Sequence, residues 1–270
     1  MQRKIFRALG VLSPSLFDCL QYHWHIRHKR ALIYPKVAAP MFRIMRAREK
    51  VAIDVGANFG VATRYLRRHF SAVHAVEPVL FLANRLRRAA LPAVTVHNAA
   101  LGTADGVVRM RAPVDDQGNL IHVLSTASGT NGLTMFEHDG IVEFDAPLQR
   151  LDTMCEGLDA AIGYMKIDVE GFEQAVLCGG VETISRHRPV IQLEIERTHN
   201  PDDGNVMRLM RDWGYTPYSI GPGGLRDDAD AALAAQRPLA ALRHDAVVAH
   251  QYDFLFIPNE QIGLYQPLLD

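Results

Sequence analysis

Hydrophobic and polar positions alternate along the chain in blocks of the lengths that strands and helices need. Short apolar runs lie at residues 51–55, 73–77 and 94–97, and stretches with helical periodicity follow the first two, at 60–70 and 79–90. Buried runs separated by helical patterns are typical of parallel strands joined by crossover helices. The pattern therefore predicts an α/β fold with a doubly wound, mostly parallel sheet.

The same rhythm returns after an irregular centre. We expect helices at 171–178 and 203–212, and strands near 164–169, 190–195, 215–220 and 252–257. The alternating run at 102–112 predicts a hairpin or an added strand. The polar segment 113–140 predicts a lid or substrate loop, with disorder as the alternative. Residues 221–250 show no pattern that assigns them to an element.

The first 46 residues combine helical periodicity with basic side chains such as Arg3, Lys4 and Arg7. We expect an N-terminal helical extension at 1–46 ahead of one domain at 47–270. A helical cap over the core is favoured over contact with a partner or a membrane surface. His23 and His25 would point to different helix faces, so no metal site is expected.

Composition narrows the class of protein. The 270 residues are 48% apolar and carry a net charge of −1, which argues neither for nor against a nucleic-acid partner. Because no polybasic tract lies outside the N-terminus and no aromatic-basic pattern is present, no nucleic-acid partner is expected. Three widely spaced cysteines favour free thiols in a reducing compartment. No apolar run is long enough for a membrane span, and no export signal is recognisable. We expect a cytoplasmic protein, with a loose membrane contact through the basic N-terminus as an alternative.

The first apolar run leads into a turn that predicts a nucleoside site. The run ends at Asp54, and Gly56, Asn58 and Gly60 follow within six residues. A glycine here lets the backbone approach a ligand that a Cβ would exclude. The second run ends at Glu77, whose carboxylate can accept hydrogen bonds from a ribose diol. The alternative is that Asp54 and Asn58 only cap the next helix.

The spacing of the turn indicates which nucleoside. A dinucleotide site needs G-x-G-x-x-G to hold a pyrophosphate, whereas this turn has glycines only at 56 and 60. S-adenosylmethionine (SAM) has a ribose and no phosphate, so it is the expected cofactor. A nicotinamide-dependent oxidoreductase and a non-catalytic nucleoside-binding module remain alternatives. An RNA methyltransferase is disfavoured by the neutral charge.

A second group of ionisable residues follows a later strand. Asp168 and Glu170 lie where the strand near 164–169 ends, and Lys166 alternates with them. We expect one carboxylate to act as a general base on an acceptor hydroxyl, helped by Lys166. The alternative is a cluster that caps the next helix, and we favour that role for Glu173. Glu194, at the end of the next strand, is expected to face the same crevice.

These motifs together resemble the FkbM-type SAM-dependent methyltransferases. The matching segments are DVGANFG, AVEP, NAALG at 98–102 and MKIDVEGFEQAVLCGG at 165–180, followed by PVIQLEIE. They fall in the family's order over about residues 50–200. The glycine turn is shared by many methyltransferases, whereas KIDVEG followed by E-x-x-V-L-x-G-G is much more specific.

The resemblance implies a class I methyltransferase fold, a seven-stranded Rossmann-like sheet whose last strand is antiparallel. It implies O-methyl transfer to a hydroxyl, often of a sugar, glycan or secondary metabolite. Site residues carried over from the family match the following positions: Asp54, Gly56, Asn58, Gly60 and Glu77 for the cofactor, Asn98 and Ala99 beside the adenine, and Lys166, Asp168, Glu170 and Gly171 in the signature.

Overall fold

The computed structural model describes residues 37–113, 126–127, 140–195, 203–220, 224–236 and 253–269. The helices expected in 1–36 and nearly all of the predicted loop at 113–140 lie outside the described residues. Of the N-terminal extension, the structure describes one short helix, α1 (Ala39–Ile44).

A mixed sheet with helices on both faces forms the body of the molecule. Its strands lie in the following order across the sheet: β11 (Leu225–Arg226), β10 (Tyr215–Ile220), β12 (Asp253–Pro258), β9 (Val190–Glu194), β8 (Ile162–Ile167), β1 (Val51–Val55), β2 (Ala72–Val76) and β3 (Val94–His97). Strands β3, β2, β1, β8 and β9 are parallel, and β12 is antiparallel to both β9 and β10. This confirms the predicted fold class and the antiparallel last strand. The count of seven is one too low, because the two-residue β11 pairs with β10.

The order of the strands creates a crevice at one end of the sheet. The chain runs outward from β1 through β2 to β3, then returns to place β8 on the other side of β1 and continues to β9. Between β1 and β8 the direction of winding therefore reverses. In sheets of this kind ligands bind at the carboxyl ends of the strands beside such a reversal.

Each face of the sheet packs against its own set of helices. On one face Ile53 and Ile167 belong to a core with α4 (Leu151–Met154), α5 (Glu173–Cys178), α6 (Val181–His187), α7 (Asp203–Asp212) and α8 (Ala229–Ala234). On the other face Ala52 and Tyr164 pack with α1, α2 (Val61–Leu66) and α9 (Ile262–Tyr265), and α3 (Leu80–Arg88) covers β2 and β3. The α1 residue Phe42 meets Phe70 and Tyr164 edge-on, at 4.9 and 5.1 Å between centroids. The two cores hold the strands rigidly below the crevice.

The region between β3 and β8 forms a second sheet that the sequence only partly predicts. The run expected as a hairpin or added strand is β5 (Gly106–Pro113), which pairs antiparallel with β7 (Ile141–Gln149). Two-residue strands β4 (Ala100–Leu101) and β6 (Thr126–Ala127) complete it. Such short pieces carry too little periodicity to be found in a sequence.

Helix boundaries differ from prediction where the backbone turns sharply. Helix α5 begins two residues later than expected because Glu170 and Gly171 have φ angles of 55° and 95°, outside the helical range. The glycines at 179–180 end that helix as predicted, but α6 starts directly after them and was missed. Within the described residues no helix has the length and apolar character needed to cross a bilayer.

Candidate active site

The glycine turn follows β1 and touches the segment that follows β8. Gly56 has a φ of +77°, and its amide, like that of Ala57, donates to the carbonyl oxygen of Val76 at 3.0 Å. A Cβ at position 56 would lie 1.9 Å from the carbonyl oxygen of Asp168. The backbone of the turn at residues 56–60 therefore lies in direct contact with the backbone of the segment that follows β8, and only glycine fits at position 56.

Asp54 is buried beneath this turn. Its side chain is 0% exposed, and Oδ2 accepts a hydrogen bond from the Thr63 hydroxyl at 2.5 Å. Burial raises the pKa of Asp54, while the charge of Lys166 and the bond from Thr63 act in the opposite direction. Helix α2 has Gly60 at its N-cap without a capping side chain, while Asp54 accepts its hydrogen bond from Thr63 in the first turn of that helix, so the nucleoside role and the helix-supporting role of Asp54 and Asn58 both stay predictions.

Glu77 follows β2 and is also buried. Its Oε1 accepts the amide of Val79 and its Oε2 accepts the amide of Asn58, both at 2.8 Å. Burial is the main reason that the pKa of Glu77 rises to about 7. Each carboxylate oxygen keeps a further lone pair that can accept a hydrogen bond from a ribose hydroxyl. Binding of a ribose by Glu77 stays a prediction.

Asn98 supports the segment that carries Glu77. Its Nδ2 donates to the carbonyl oxygens of Glu77 and Pro78, both at 3.0 Å. The next residue, Ala99, is buried. Asn98 thus holds the segment after β2 in place, and a contact of Asn98 or Ala99 with adenine stays a prediction.

Lys166 and Asp168 form an ion pair at the end of β8. Lys166 Nζ lies 2.6 Å from Asp168 Oδ2, with exposed fractions of 3% for the lysine and 15% for the aspartate. Lys166 is the register partner of Asp54 across the β1–β8 pairing. The sequence therefore placed these residues at the correct end of the sheet, and the structure brings them beside the cofactor turn.

Glu173 and Glu170, the acids of the loop after Asp168, have different surroundings. Glu173 is buried, and its Oε1 accepts the amides of Val169 at 3.3 Å and Gly171 at 3.1 Å. Glu173 thus lies in the first turn of α5 but bonds the loop before the helix, so the capping role stays a prediction; burial raises the pKa of Glu173 to about 7. Glu170 is half-buried and has a left-handed φ, a conformation that costs energy and often occurs at functional sites.

Sequence reasoning missed a polar chain on the neighbouring strands. The buried hydroxyl of Tyr164 donates to Gln192 Oε1, and Gln192 Nε2 donates to Asp253 Oδ1 at 2.6 Å. Asp253 lies opposite Glu194 in the β9–β12 pairing. A glutamine inside the apolar run VIQLEI was the available signal. Polar groups thus continue from Lys166 along the carboxyl end of the sheet.

The structure allows a test of whether these residues suit SAM. Asp54 Oδ1 and Asn58 Oδ1 are buried acceptors without a hydrogen-bond partner in the part of the chain that the structure describes. Unpaired buried acceptors are unfavourable unless a ligand brings donors. SAM has such donors in its amino group and ribose hydroxyls, so the residues fit it. The described residues contain no group of three or more His, Cys, Asp or Glu that could hold a metal.

Comparison with known proteins gives the family. Residues 54–217 match the model of the methyltransferase FkbM domain, which is more than half of the chain. The 31-O-demethyl-FK506 methyltransferase FkbM of Streptomyces tacrolimicus is 31% identical over 191 residues, covering 62% of this chain and 72% of the relative.

Two solved structures are more distant. A methyltransferase FkbM from Methylobacillus flagellatus matches with a TM-score of 0.44 and 15% identity, over 77% of this chain and 44% of the other. A Streptococcus mutans protein in complex with SAH (S-adenosylhomocysteine) matches with a TM-score of 0.43 and 8% identity, over 81% and 96% of the two chains. The family model and the Streptomyces relative therefore carry the assignment. The chain belongs to the FkbM methyltransferase family, and SAM is its methyl donor.

Proposed function

We propose that this chain transfers a methyl group from SAM to a hydroxyl oxygen of a small polyhydroxylated molecule, a sugar, glycan or secondary metabolite. The observation that carries the proposal is the Lys166–Asp168 ion pair at the end of β8, in backbone contact with the glycine turn. A carboxylate and an ammonium group at this position suit an acceptor that must lose a proton.

The donor is proposed to lie across the ends of β1 and β2. Asp54 and Asn58 would receive its amino group and a hydroxyl through their unpartnered oxygens, and Glu77 would bind the ribose. Gly56 and Gly60 give the backbone the turn that admits the ligand, and Asn98 with Ala99 would border the adenine.

The proposed chemistry divides between the donor and the residues at the end of β8. When bound, SAM supplies an electrophilic methyl group whose bond to sulfur breaks, with its electron pair going to sulfur, as the new bond to oxygen forms. Asp168 or Glu170 accepts the proton of the hydroxyl, and Lys166 stabilises the negative charge on the oxygen. Alignment of the acceptor accounts for much of the remaining acceleration.

The polar chain beyond Lys166 supports an acceptor with several hydroxyls. Gln192 is fixed by Tyr164 on one side and Asp253 on the other, so its amide has one orientation. Asp253 and Glu194 place carboxylates where a second hydroxyl of the acceptor could donate. The name of the Streptomyces tacrolimicus relative, a 31-O-demethyl-FK506 methyltransferase, also supports an oxygen acceptor.

The test is methyl transfer from radiolabelled SAM to a panel of methyl glycosides and hydroxylated polyketides. A methyl ether survives mild alkali, whereas a methyl ester releases methanol, so base-stable label identifies the hydroxyl product. The variant that removes the base, Asp168→Asn or Glu170→Gln, should lower turnover by about 100-fold or more, the usual contribution of a general base. The matched control is Asp230→Asn, which breaks an exposed ion pair with Arg211 on the helices that cover the sheet. Label lost in alkali, or full turnover in both Asp168→Asn and Glu170→Gln, would contradict the proposal.

A loose membrane contact through the basic residues of segment 1–46 is a further part of the proposal. It would serve an acceptor held on a lipid. Sedimentation with anionic vesicles, compared with neutral ones, tests it: binding to both or to neither removes this part and leaves the catalytic proposal unchanged.

A further inference from the structure

Helices α2 and α3, which cover one part of the sheet, carry charge of a single sign. Between residues 55 and 104 the chain has six arginines and one acid, Glu77, which is buried. The arginines lie on the two helices and in the turn after α2, at Arg64, Arg67, Arg68, Arg85, Arg87 and Arg88. The whole chain has a net charge of only −1, so this basic surface is local.

The two helices are neighbours, so their arginines belong to one surface. A Cβ at Gly60, the N-cap of α2, would lie 2.3 Å from the side chain of Leu86 on α3. Arg68, Arg87 and Arg88 are exposed to solvent. The basic surface is therefore available to a negatively charged partner.

Two large apolar side chains are exposed at the start of α3. Leu80 and Phe81 are 59% and 57% exposed. The helix already buries Leu82, Ala83 and Leu86, so the core does not depend on the first two residues. An exposed aliphatic and an exposed aromatic side chain next to each other indicate a surface that contacts a partner.

The helix macrodipole accounts for only part of this pattern. Cations are favourable at the C-terminal end of a helix, where Arg87 and Arg88 lie. Acids are favourable in the first turn, yet neither α2 nor α3 has one there. The macrodipole also gives no reason for exposing Leu80 and Phe81 at the opposite end of α3. A partner accounts for all three features together.

The exposed side of α3 has the layout of a helix that lies on a bilayer. Phe81, Asn84 and Arg88 recur at helical spacing and so follow one side of the helix. Phe81 and Arg88 are about 10 Å apart along the axis. With α3 flat on a membrane, the phenyl ring would reach the boundary between headgroups and acyl chains, and the long arginine side chain would reach lipid phosphates.

We propose that the basic surface of α2 and α3 docks on an anionic lipid bilayer, with Leu80 and Phe81 inserted among the headgroups. Charge complementarity selects a negatively charged partner. The apolar pair selects a bilayer over nucleic acid, because a phosphate backbone offers nothing apolar for these side chains to enter. Since Leu80 follows Glu77 by three residues, docking would hold the proposed donor site beside the lipid. The inference depends neither on the acceptor nor on segment 1–46.

Sedimentation of the full chain with vesicles tests the apolar pair. Vesicles of phosphatidylcholine with phosphatidylserine should bind the wild type, and vesicles of phosphatidylcholine alone should bind it much more weakly. The double variant Leu80→Ser/Phe81→Ser should weaken binding to the anionic vesicles by about tenfold or more, since two apolar side chains leave the interface. The matched control is Val181→Ser, which changes a 44% exposed side chain on α6, on the opposite face of the sheet.

The same assay tests the charge. Arg88→Glu should weaken binding to the anionic vesicles by about tenfold or more, because each charge near the surface contributes roughly fivefold and the substitution changes two. Arg186→Glu makes the same change at an exposed position of α6 and should bind like the wild type. Added salt should weaken binding of the wild type more than that of Arg88→Glu.

A tryptophan probe locates the contact. Brominated lipids in the anionic vesicles should quench the fluorescence that Phe81→Trp adds to the wild-type signal. They should leave the fluorescence added by Val181→Trp unchanged, because that side chain lies on the opposite face. Equal quenching of the two variants, or quenching of neither, would overturn the inference.

The remaining outcomes are equally distinct. Unchanged SAM affinity in each variant, measured by calorimetry, establishes that the variant is folded. Absence of wild-type binding to the anionic vesicles would overturn the inference. So would binding that persists in both Leu80→Ser/Phe81→Ser and Arg88→Glu, which would assign the contact to segment 1–46. Binding of poly(U) RNA in place of vesicles would assign the surface to nucleic acid and overturn it too. Methyl transfer to soluble acceptors tests the proposed function separately, so a failure there leaves the vesicle results unchanged.

Discussion

Charged side chains at the two ends of the central sheet differ in how fully they are paired. At the amino end Arg188 donates from Nη1 and Nη2 to the carbonyls of Trp213 and Gly214 at 2.8 and 3.0 Å, and its Nε lies 2.9 Å from Glu260 Oε1. The guanidinium also lies 4.4 Å above the centre of the Tyr215 ring. At the carboxyl end, by contrast, Asp54 keeps an oxygen with no partner in the described structure.

The difference distinguishes a structural cluster from a binding site. The Arg188 contacts tie together the starts of β9 and β10 and the end of β12, and a second Nη2 bond reaches Glu260 at 3.0 Å. At the amino end the guanidinium of Arg188 is hydrogen-bonded through all three of its nitrogens, although the Tyr215 hydroxyl has no partner among the described residues and Arg188 has a left-handed φ of 47°. At the carboxyl end the acceptor without a partner belongs to a fully buried carboxylate, Asp54, a larger cost that is understandable where a ligand compensates.

The largest predicted contrast uses one glycine from each end. Gly56→Ala places a Cβ against a backbone oxygen, so we expect a loss of about 3 kcal/mol in stability and loss of SAM binding. Gly214 has a similar φ of +75°, but its Cβ would meet nothing closer than 3.4 Å. Gly214→Ala should therefore cost only about 1 kcal/mol and bind SAM normally. Urea unfolding and calorimetry measure both, and equal losses in the two variants would remove the contrast.

The next effect is on pH dependence. The pKa of Glu77 rises from 4.5 to about 7 on folding, so the folded state binds more protons between these values and stability falls as the pH rises through this range. The expected loss is roughly 3 kcal/mol for the ligand-free protein. Glu77→Gln should flatten this slope in urea unfolding between pH 5 and pH 8. An unchanged slope would show that Glu77 is ionised freely in the folded state.

Glu260 should change stability with pH in the opposite direction to Glu77. Hydrogen bonds from Arg188 lower the pKa of Glu260, so its contribution is present above pH 4.5 and is lost as the pH falls through its folded pKa. Glu260→Gln should remove only the loss of stability that Glu260 causes at acid pH.

A smaller effect is expected from Arg188 itself. Arg188→Lys keeps the charge but cannot bond Trp213, Gly214 and Glu260 together, so stability should fall by about 2 kcal/mol. SAM affinity and turnover should stay at wild-type values, since the contacts lie at the end of the sheet away from Asp54. A variant that is stable but inactive would show that the amino end also takes part in function.

Much of the fold and of the site at the carboxyl end of the sheet was predictable from the sequence. Strand positions and the strand ends at Asp54, Glu77 and Asp168 follow from periodicity, and the family follows from the resemblance of motifs such as KIDVEG. Partners across the sheet do not, because hydrogen bonds such as Gln192 to Asp253 join residues 61 positions apart. The Gly179–Gly180 pair illustrates the same limit. The sequence suggests a helix end, whereas the structure shows a Cβ at 179 meeting the Gly102 carbonyl at 1.9 Å.

The central claim is that the donor lies at the carboxyl end of the sheet, and SAM affinity in one variant from each end tests it most directly. Calorimetric titration should show Glu77→Gln binding SAM about 10-fold to 100-fold more weakly, as expected for loss of charged hydrogen bonds. The SAM dissociation constant of Arg188→Lys should lie within about twofold of the wild-type value. This is a much smaller change than the roughly tenfold that corresponds to 1.4 kcal/mol. Wild-type affinity in Glu77→Gln, or weakened binding in Arg188→Lys alone, would contradict the account.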